Sequence, residues 1–521
     1  MRKKNKHFMR LYSIILTTGL VIGLSGCGNN SEVGNSTQES VQAVTEGETE
    51  KKDTNSNDTE EVSDSTSFIK KEDVQISETY EDSSDGGHAI EADGETAEYS
   101  NIAVTKTGEA DGDEADFYGE NAAVFATNGA TLTLDEITVD TDGTHANGVF
   151  SYGEGTTVNI SDSYIYTKNN CSGGLMTTGG GTMNANNLTI LTDGNSSAAI
   201  RSDRGGGTVN VTKGSYTTNG TGSPVIYSTA DITVNDATLT STASQGVVVE
   251  GQNSVTLNNV ALTADNNTKN SDKSDYYQAV MIYQSMSGDA DEGTASFAMN
   301  GGSLINKNGD IFFVNNTVAT IDLDSVDITN EDANGIFLRA EAAGWGNEGT
   351  NGGNVTLNAK NQVIDGNIIV DDVSTLNLYL ADSSTFTGSI NSSGAAGDVY
   401  VELSGDAVWK LTGDSYISSL TCDVESIDLN GYKLYVDGKE YTSGTSSSGA
   451  AVEANVSEGD GHSGGEKPDG EPPSGEKSDG EPPSGGKPDG EPPSGGTPDG
   501  ETPSGGKPDG EPPSGGKPGS E

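Results

Sequence analysis

The 521-residue sequence predicts an all-β fold, a right-handed parallel β-helix (solenoid) of about 12–13 coils, and three observations carry that prediction. A short alternating strand recurs as Thr131-Leu132-Thr133-Leu134, Thr157-Val158-Asn159-Ile160, Thr182-Met183-Asn184-Ala185, Thr208-Val209-Asn210-Val211, Asp231-Ile232-Thr233-Val234 and Ser254-Val255-Thr256-Leu257. The first apolar positions step by 26, 25, 26, 23 and 23 residues, with further copies at Phe297, Ile321, Val355, Leu376, Val399 and Ile427 and an earlier one at Ile102. Two more strands accompany each copy. An apolar one precedes it (Val124-Phe125, Val149-Phe150, Leu175-Met176, Val225-Ile226, Val247-Val248, Ile311-Phe312, Ile336-Phe337), and a third follows (Glu136-Ile137-Thr138-Val139, Ser163-Tyr164-Ile165-Tyr166, Asn187-Leu188-Thr189-Ile190, Val326-Asp327-Ile328-Thr329).

Three short strands separated by Gly- and Asn-rich turns within roughly 24 residues make one coil of such a solenoid. Alternation turns Leu132 and Leu134 inward and Thr131 and Thr133 outward. Each strand then bonds to its equivalents above and below, so a narrow aliphatic core suffices. A β-propeller has a longer blade period, nearer forty residues, and a sandwich lacks the regular step.

The ends read differently. Met1-Arg2-Lys3-Lys4-Asn5-Lys6 and the apolar stretch Leu11 to Leu24 form a secretory leader, too short to span a bilayer comfortably. Leu24-Ser25-Gly26-Cys27 resembles the lipobox of bacterial lipoproteins, which implies cleavage at 1–26, a diacylglyceryl thioether on Cys27 and an anchor on the extracellular face of the cell membrane. Residues 27–85 are Ser, Thr, Asn, Asp and Glu with few apolar side chains, and read as a disordered acidic linker. The β-helix is expected over 86–445. From 446 to 521 follows a Pro/Gly-rich tail with a ten-residue period, Lys467-Pro468-Asp469-Gly470-Glu471-Pro472-Pro473-Ser474-Gly475-Glu476 and its successors, expected to be extended and disordered. A wall-associating spacer and a solubilising tail are both consistent with it.

Net charge is −53, and loss of the basic leader makes the mature chain more negative still. That field excludes nucleic acid as a partner and disfavours anionic headgroups, while attracting cations such as calcium. Cys171 and Cys422, distant in sequence, read as unpaired thiols rather than a disulfide framework.

Two intervals break the period, one containing Ser287 to Gly293 and the other Ala342 to Gly349, and mark loops thrown out from the rod. Four motifs stand out: Asp116-Phe117-Tyr118-Gly119-Glu120-Asn121, Ser197-Ala198-Ala199-Ile200-Arg201-Ser202-Asp203-Arg204-Gly205-Gly206-Gly207, Ser285-Met286-Ser287-Gly288-Asp289-Ala290-Asp291-Glu292-Gly293 and Leu338-Arg339-Ala340-Glu341. On these the chain, from roughly Asp116 to Tyr441, resembles adhesin-like β-helix surface lipoproteins of Gram-positive bacteria, related in fold to pectate lyases. The resemblance brings no activity with it. In pectate lyases an arginine abstracts a proton beside a calcium-bound uronate, which invites comparison with Arg201 and Asp203, and with Arg339 and Glu341.

Arg201, Arg204 and Arg339 are the only arginines after the leader. Their motifs lie about five coils apart, ~24 Å, so they do not share a reaction centre. Each arginine-acid pair is read first as a salt bridge capping a turn; a sugar or carboxylate clamp and a catalytic base are the alternatives. Asp111, Asp113, Asp289, Asp291 and Glu292 concentrate oxygens in loops, either for calcium or as solvated acids. Trp345, between glycines, is a candidate platform for a sugar ring unless it folds back on the rod, with Tyr152 and Glu154 on the same kind of surface. His145 and His88 lack any catalytic context and read as surface histidines. The function expected is a non-catalytic adhesin or carbohydrate-binding protein on the cell surface; the alternatives are a β-helix lyase or hydrolase of acidic polysaccharide and a purely structural envelope rod.

Overall fold

The computed structural model describes residues 68–455; the leader, Cys27, the acidic stretch up to residue 67 and the decapeptide tail lie outside the described residues. The described chain winds as a right-handed parallel β-helix with three strand columns. The alternating Thr-rich strands form a ladder column of thirteen rungs. It starts at Thr96–Ser100, continues through strands beginning at Thr131, Thr157, Gly181, Gly207, Asp231, Ser254, Thr294, Thr317, Gly353, Thr375 and Asp398, and ends at Ser419–Thr421. At ~4.8 Å per rung this spans roughly 60 Å.

The register follows the repeat as far as Ile321: Leu132, Val158, Met183, Val209, Ile232, Val255, Phe297 and Ile321 stack in one inward row, which runs on through Leu357, Leu378 and Val401, while Val355, Leu376 and Val399 stand in the neighbouring inward row below Ala295 and Ala319. The two end members differ as well. Ile102 belongs to the third column, and Ala97 is the residue that pairs with Leu132. Ile427 pairs with Trp409, while Leu420 continues the row below Val401. At both ends the true row residue sits in a weakly apolar strand, so a nearby isoleucine mimics it. In the apolar column, an 11-stranded sheet from Ile90–Asp93 to Ile368–Val370, Leu338 rather than Ile336 stacks on Phe312.

The ladder and third columns belong to one 21-stranded sheet, bent in each coil at a single residue of positive φ: Asn101, Glu136, Asp162, Asn187, Lys213, Asp236 and Asn259, with φ between 47° and 61°. That conformation costs a residue with a Cβ about 1–2 kcal/mol. Asn and Asp tolerate it best, and their side chains bond along the axis, Asn101 Nδ2 to Glu136 Oε2 at 2.7 Å and Asn259 Nδ2 to Asp236 Oδ1 at 2.8 Å. At the far end of the third column, buried hydroxyls close the next turn: Thr167 donates to the Ser172 carbonyl, Thr218 to Ser223 and Ser241 to Ser244, at 2.6, 2.6 and 2.8 Å. These three hydroxyls therefore enter the interior already hydrogen-bonded.

Order extends past both boundaries read from composition. The strand Glu78–Asp82 lies within the stretch assigned to the linker, yet it pairs in register with Ile102–Lys106. At the other end the hydrogen-bonded chain continues to Asn455. After the antiparallel pair Leu434–Val436 and Lys439–Glu440 closes the last edge, residues 449–455 turn back along the rod. Val452 exchanges two hydrogen bonds with the Asn377 amide (2.9 and 3.0 Å), and the Asn455 N–H bonds to Asn354 Oδ1 at 2.7 Å. Cys422 is a free, buried thiol.

Aromatic side chains fill the widest part of the core. Phe297, Phe312 and Phe337 are fully buried and stack edge-to-face with centroids 5.7 and 5.6 Å apart. Phe312→Ala should lower unfolding stability in urea by about 3–5 kcal/mol, whereas Thr256→Ala on the outer face of the ladder column should stay within about 0.5 kcal/mol. Equal effects would contradict this assignment of inside and outside.

Candidate functional site

The outer face of the apolar column is not a solvated face. Its outward row reads Phe125, Phe150, Met176, Arg201, Tyr227, Val248, Met281, Phe313, Arg339. Apolar side chains in that row need cover, and the chain supplies a roof. Around the short helix Asp113–Phe117 the chain passes over Phe125, Phe150 and Met176, with Ala122 packed into their cluster. Gly119 crosses Phe125 so closely that a Cβ there would lie 2.3 Å from the ring, at a φ of +87°. Farther along, Tyr227, Val248, Met281, Tyr283 and Phe313 are covered by the two insertions that break the period, which bring Trp345 into the same cluster.

Trp345 is therefore not a sugar platform. It is 3% exposed, packs edge-on to Tyr283 at 5.3 Å, and has the Lys273 ammonium 5.7 Å from its ring centroid. Two flanking glycines suggested an open loop, but apolar cover for Tyr283 and Phe313 is the stronger demand. Tyr152 sits at the opposite end of the roof, 5.7 Å from Tyr118 and 6.5 Å from Phe125, with exposed Glu154 beside it. These two share no surface with Trp345.

The arginines hold the roof down. Arg204 donates to Asp289 Oδ1 through Nε and Nη2 at 3.1 and 2.9 Å, and to Asp113 Oδ2 at 3.3 Å. Its guanidinium lies 3.9 Å from the Phe117 ring centroid, so one side chain ties the helix to the first insertion. Arg201 bonds to Asp203 Oδ2 at 2.7 and 3.2 Å, both residues being buried. Five rungs away Arg339 pairs with Asp310 and, at 3.1 Å, with Glu341, under the Tyr276 ring. The salt-bridge reading thus gains a purpose beyond turn capping.

These pairings divide the acids once grouped for calcium. Asp113 and Asp289 answer Arg204, Asp111 approaches His145 at 4.0 Å, and Asp291 and Glu292 are exposed. Among the described residues the one close set of His, Cys and carboxylate groups is Asp116, His145 and Cys171, all buried. His145 and Cys171 occupy the same turn position in successive coils, each N–H bonding to the next turn, and Asp116 reaches to 3.1 Å from His145 Nδ1. His145 is therefore a buried partner of the roof helix and not a surface histidine. The sequence signal was its spacing of one coil from Cys171.

Under the first insertion lies a group that sequence reasoning missed. Tyr227 and Tyr283 both donate to Glu250 Oε2, the latter at 3.1 Å, and the Ser285 N–H reaches Oε1 at 3.3 Å. Burial raises the Glu250 carboxyl above its ordinary value and holds both phenols far above theirs. Burial also pushes Asp203 up to about 7 against the pull of Arg201, with Asp289 adding to the rise. Acids, phenols and an arginine are the components of lyase chemistry. Asp203, Glu250 and Tyr283 are, however, all 0% exposed, so no polymer reaches them. Comparison with known proteins returns no match to any family model, curated protein or solved structure.

The raised carboxyls fix a pH dependence. The native state keeps protons on Asp203 and Glu250 at pH values where the unfolded chain has released them, so the stability these two groups contribute is fully present below about pH 4 and is lost as pH rises toward 7. Thermal midpoints between pH 4.5 and 7.5 should fall, and Asp203→Asn should flatten the slope. Parallel slopes in wild type and variant would refute this assignment.

Proposed function

We propose that this chain is a lipid-anchored, non-catalytic surface rod that binds neutral polysaccharide along the outer face of its ladder column. One observation carries the reading: two asparagine rows on that face. Asn159, Asn184 and Asn210 link side chain to side chain, Nδ2 to Oδ1, at 3.0 Å per step, and Asn235, Asn258 and Asn300 do so at 2.9 Å. The positive-φ bends explain why Asn and Asp fill the corner beside them, but Asn159, Asn184 and Asn210 stand inside β-strands, where asparagine is disfavoured. Backbone geometry does not call for them there.

Charge supports the same reading. Acids outnumber bases 80 to 27 in the chain, yet the outward ladder positions from Thr131 to Asn300 carry only Asp135 and Asp231 as acids. A shallow trough lined by Thr133, Asn159, Ser161, Asn184, Asn186 and Asn210 runs across the rungs. Each amide is oriented by its neighbours before any ligand arrives, so little conformational entropy is lost on binding. A face of hydroxyls and amides on a strongly anionic body suits a neutral glycan and repels an acidic one. The lyase alternative would need Arg201, Asp203 and Arg339, all of which are buried.

Anchoring rests on the leader and Cys27, together with the fact that among the described residues no helix is long and apolar enough to cross a membrane. Affinity electrophoresis through gels containing xyloglucan, galactomannan or hydroxyethylcellulose should retard the protein. Asn184→Ala with Asn210→Ala should weaken the best of these by about tenfold. Retardation by none of them, or uronate release from polygalacturonate, would defeat the binding proposal. Mass spectrometry of the mature N-terminal peptide should show a diacylglyceryl thioether on Cys27, and Cys27→Ser should free the protein from membranes. Recovery of that peptide joined through sulfur to the Cys171 peptide would overturn the anchor.

A further inference from the structure

The third column carries two tyrosines that neither the core nor the roof uses. Along Tyr164–Thr167 the side chains alternate, with Ile165 and Thr167 buried inward and Tyr164 and Tyr166 outward and partly exposed. Their row neighbours in the adjoining coils are Thr138 and Thr189 for Tyr164, and Asp140 and Leu191 for Tyr166. Two rings side by side between such small or polar neighbours are not demanded by packing.

A polar rim runs along the axis beside Tyr166. Asp142, Lys168, Asp193, Asn219 and Thr242 each open the turn after a third-column strand, and each N–H bonds to the chain of the coil before. Their side chains are tied together: Lys168 Nζ to Asp142 Oδ2 at 3.1 Å, Asn219 Nδ2 to Asp193 Oδ1 at 2.8 Å and Thr242 Oγ1 to Asn219 Oδ1 at 2.9 Å. Tyr166 Oη donates to Asp193 Oδ2, and the Lys168 ammonium stands 5.7 Å from the Tyr166 centroid. On the other side Lys71 bonds to Asp140 and forms a wall. The Asp193 hydrogen bond pushes the Tyr166 phenol up to about 12, so it remains a fixed donor at neutral pH.

We propose that Tyr164 and Tyr166 form a stacking subsite for a pyranose unit of a neutral glycan, with Asp193, Asn219 and Lys168 bonding its hydroxyls. The apolar face of a sugar ring lies on an aromatic ring much as another apolar group does, while the rim supplies donors and acceptors at its edge. The subsite adjoins the ladder face across the one-residue bend at Asp162 and lies on the same coils as Asn159 and Asn184. A chain held on the asparagine row therefore meets the tyrosines at its flank. This inference rests on the polysaccharide reading above.

The test uses the full chain in affinity gels of xyloglucan, galactomannan and hydroxyethylcellulose, with thermal midpoints recorded to show that each variant is folded. Tyr166→Ala and Tyr164→Ala should each weaken retardation by about tenfold. Tyr166→Phe, which keeps the ring and loses only the bond to Asp193, should stay within about threefold. If both alanine variants migrate like wild type while the Asn184→Ala, Asn210→Ala double variant loses binding, the subsite is wrong and the ladder reading stands. If wild type is retarded by none of the three, both fall.

Discussion

Each coil of this protein completes its backbone hydrogen bonding only through the coil above and the coil below, and that constraint governs almost every residue choice. A four-residue strand cannot persist alone, so the register between coils must be right at every rung. Two rows enforce it. One is the unbroken inward row from Leu132 to Leu420; the other is the row of positive-φ corner residues from Asn101 to Asn259, whose side chains bond up the axis. The corner row explains why a protein so rich in Asn and Asp is still well ordered between residues 68 and 455. Those side chains stabilise a backbone conformation that most residues resist.

The same stacking creates an energetic problem on the apolar column, where both faces of the strands are packed. Nine successive outward residues from Phe125 to Arg339 would expose a broad apolar stripe if left open. The helix Asp113–Phe117 and the two insertions cover it, and covering it traps Asp203, Glu250 and Asp289 in a low-dielectric space. Arg201 and Arg204 offset part of that cost by pairing, and Tyr227 and Tyr283 offset more by donating to Glu250. The arginines thus read as consequences of the roof. Their resemblance to a catalytic set comes from the same chemistry, a carboxylate that burial would otherwise leave uncompensated.

How far the sequence reveals this depends on whether a feature is periodic. The ladder register is legible because Leu132, Val158 and Met183 recur at one coil, and it becomes illegible at Ala97 and Leu420, where the inward residue is small or its strand is short. The separation of Arg201 from Arg339 is legible for the same reason. The fate of Trp345 is not, since whether a loop lies open or folds down depends on the outward residues beneath it, and Tyr283 and Phe313 belong to preceding coils. Tyr164 and Tyr166 are a different case: alternation through Tyr164-Ile165-Tyr166-Thr167 already points both rings outward.

The chain itself shows what its outward amides do with an extended polymer. Residues 449–455 run back across the rungs, and Asn377 grips Val452 by presenting its side-chain amide as though it were another peptide group, one donor and one acceptor at 3.0 and 2.9 Å. Asn354 does the same for Asn455, accepting at 2.7 Å, while Ser419 and Thr421 accept from the N–H groups of Ala450 and Gly449 at 2.9 and 3.0 Å. No apolar burial is needed for this grip beyond the contacts of the strand itself. Asn159, Asn184 and Asn210 present the same group from the same sheet, each oriented by a neighbouring asparagine, with no segment of the described chain bonded across them. A surface that holds its own polypeptide by amide pairing has the chemistry to hold a neutral polymer of hydroxyls, because both offer alternating donors and acceptors along an extended chain and neither brings charge into the field of this acidic rod.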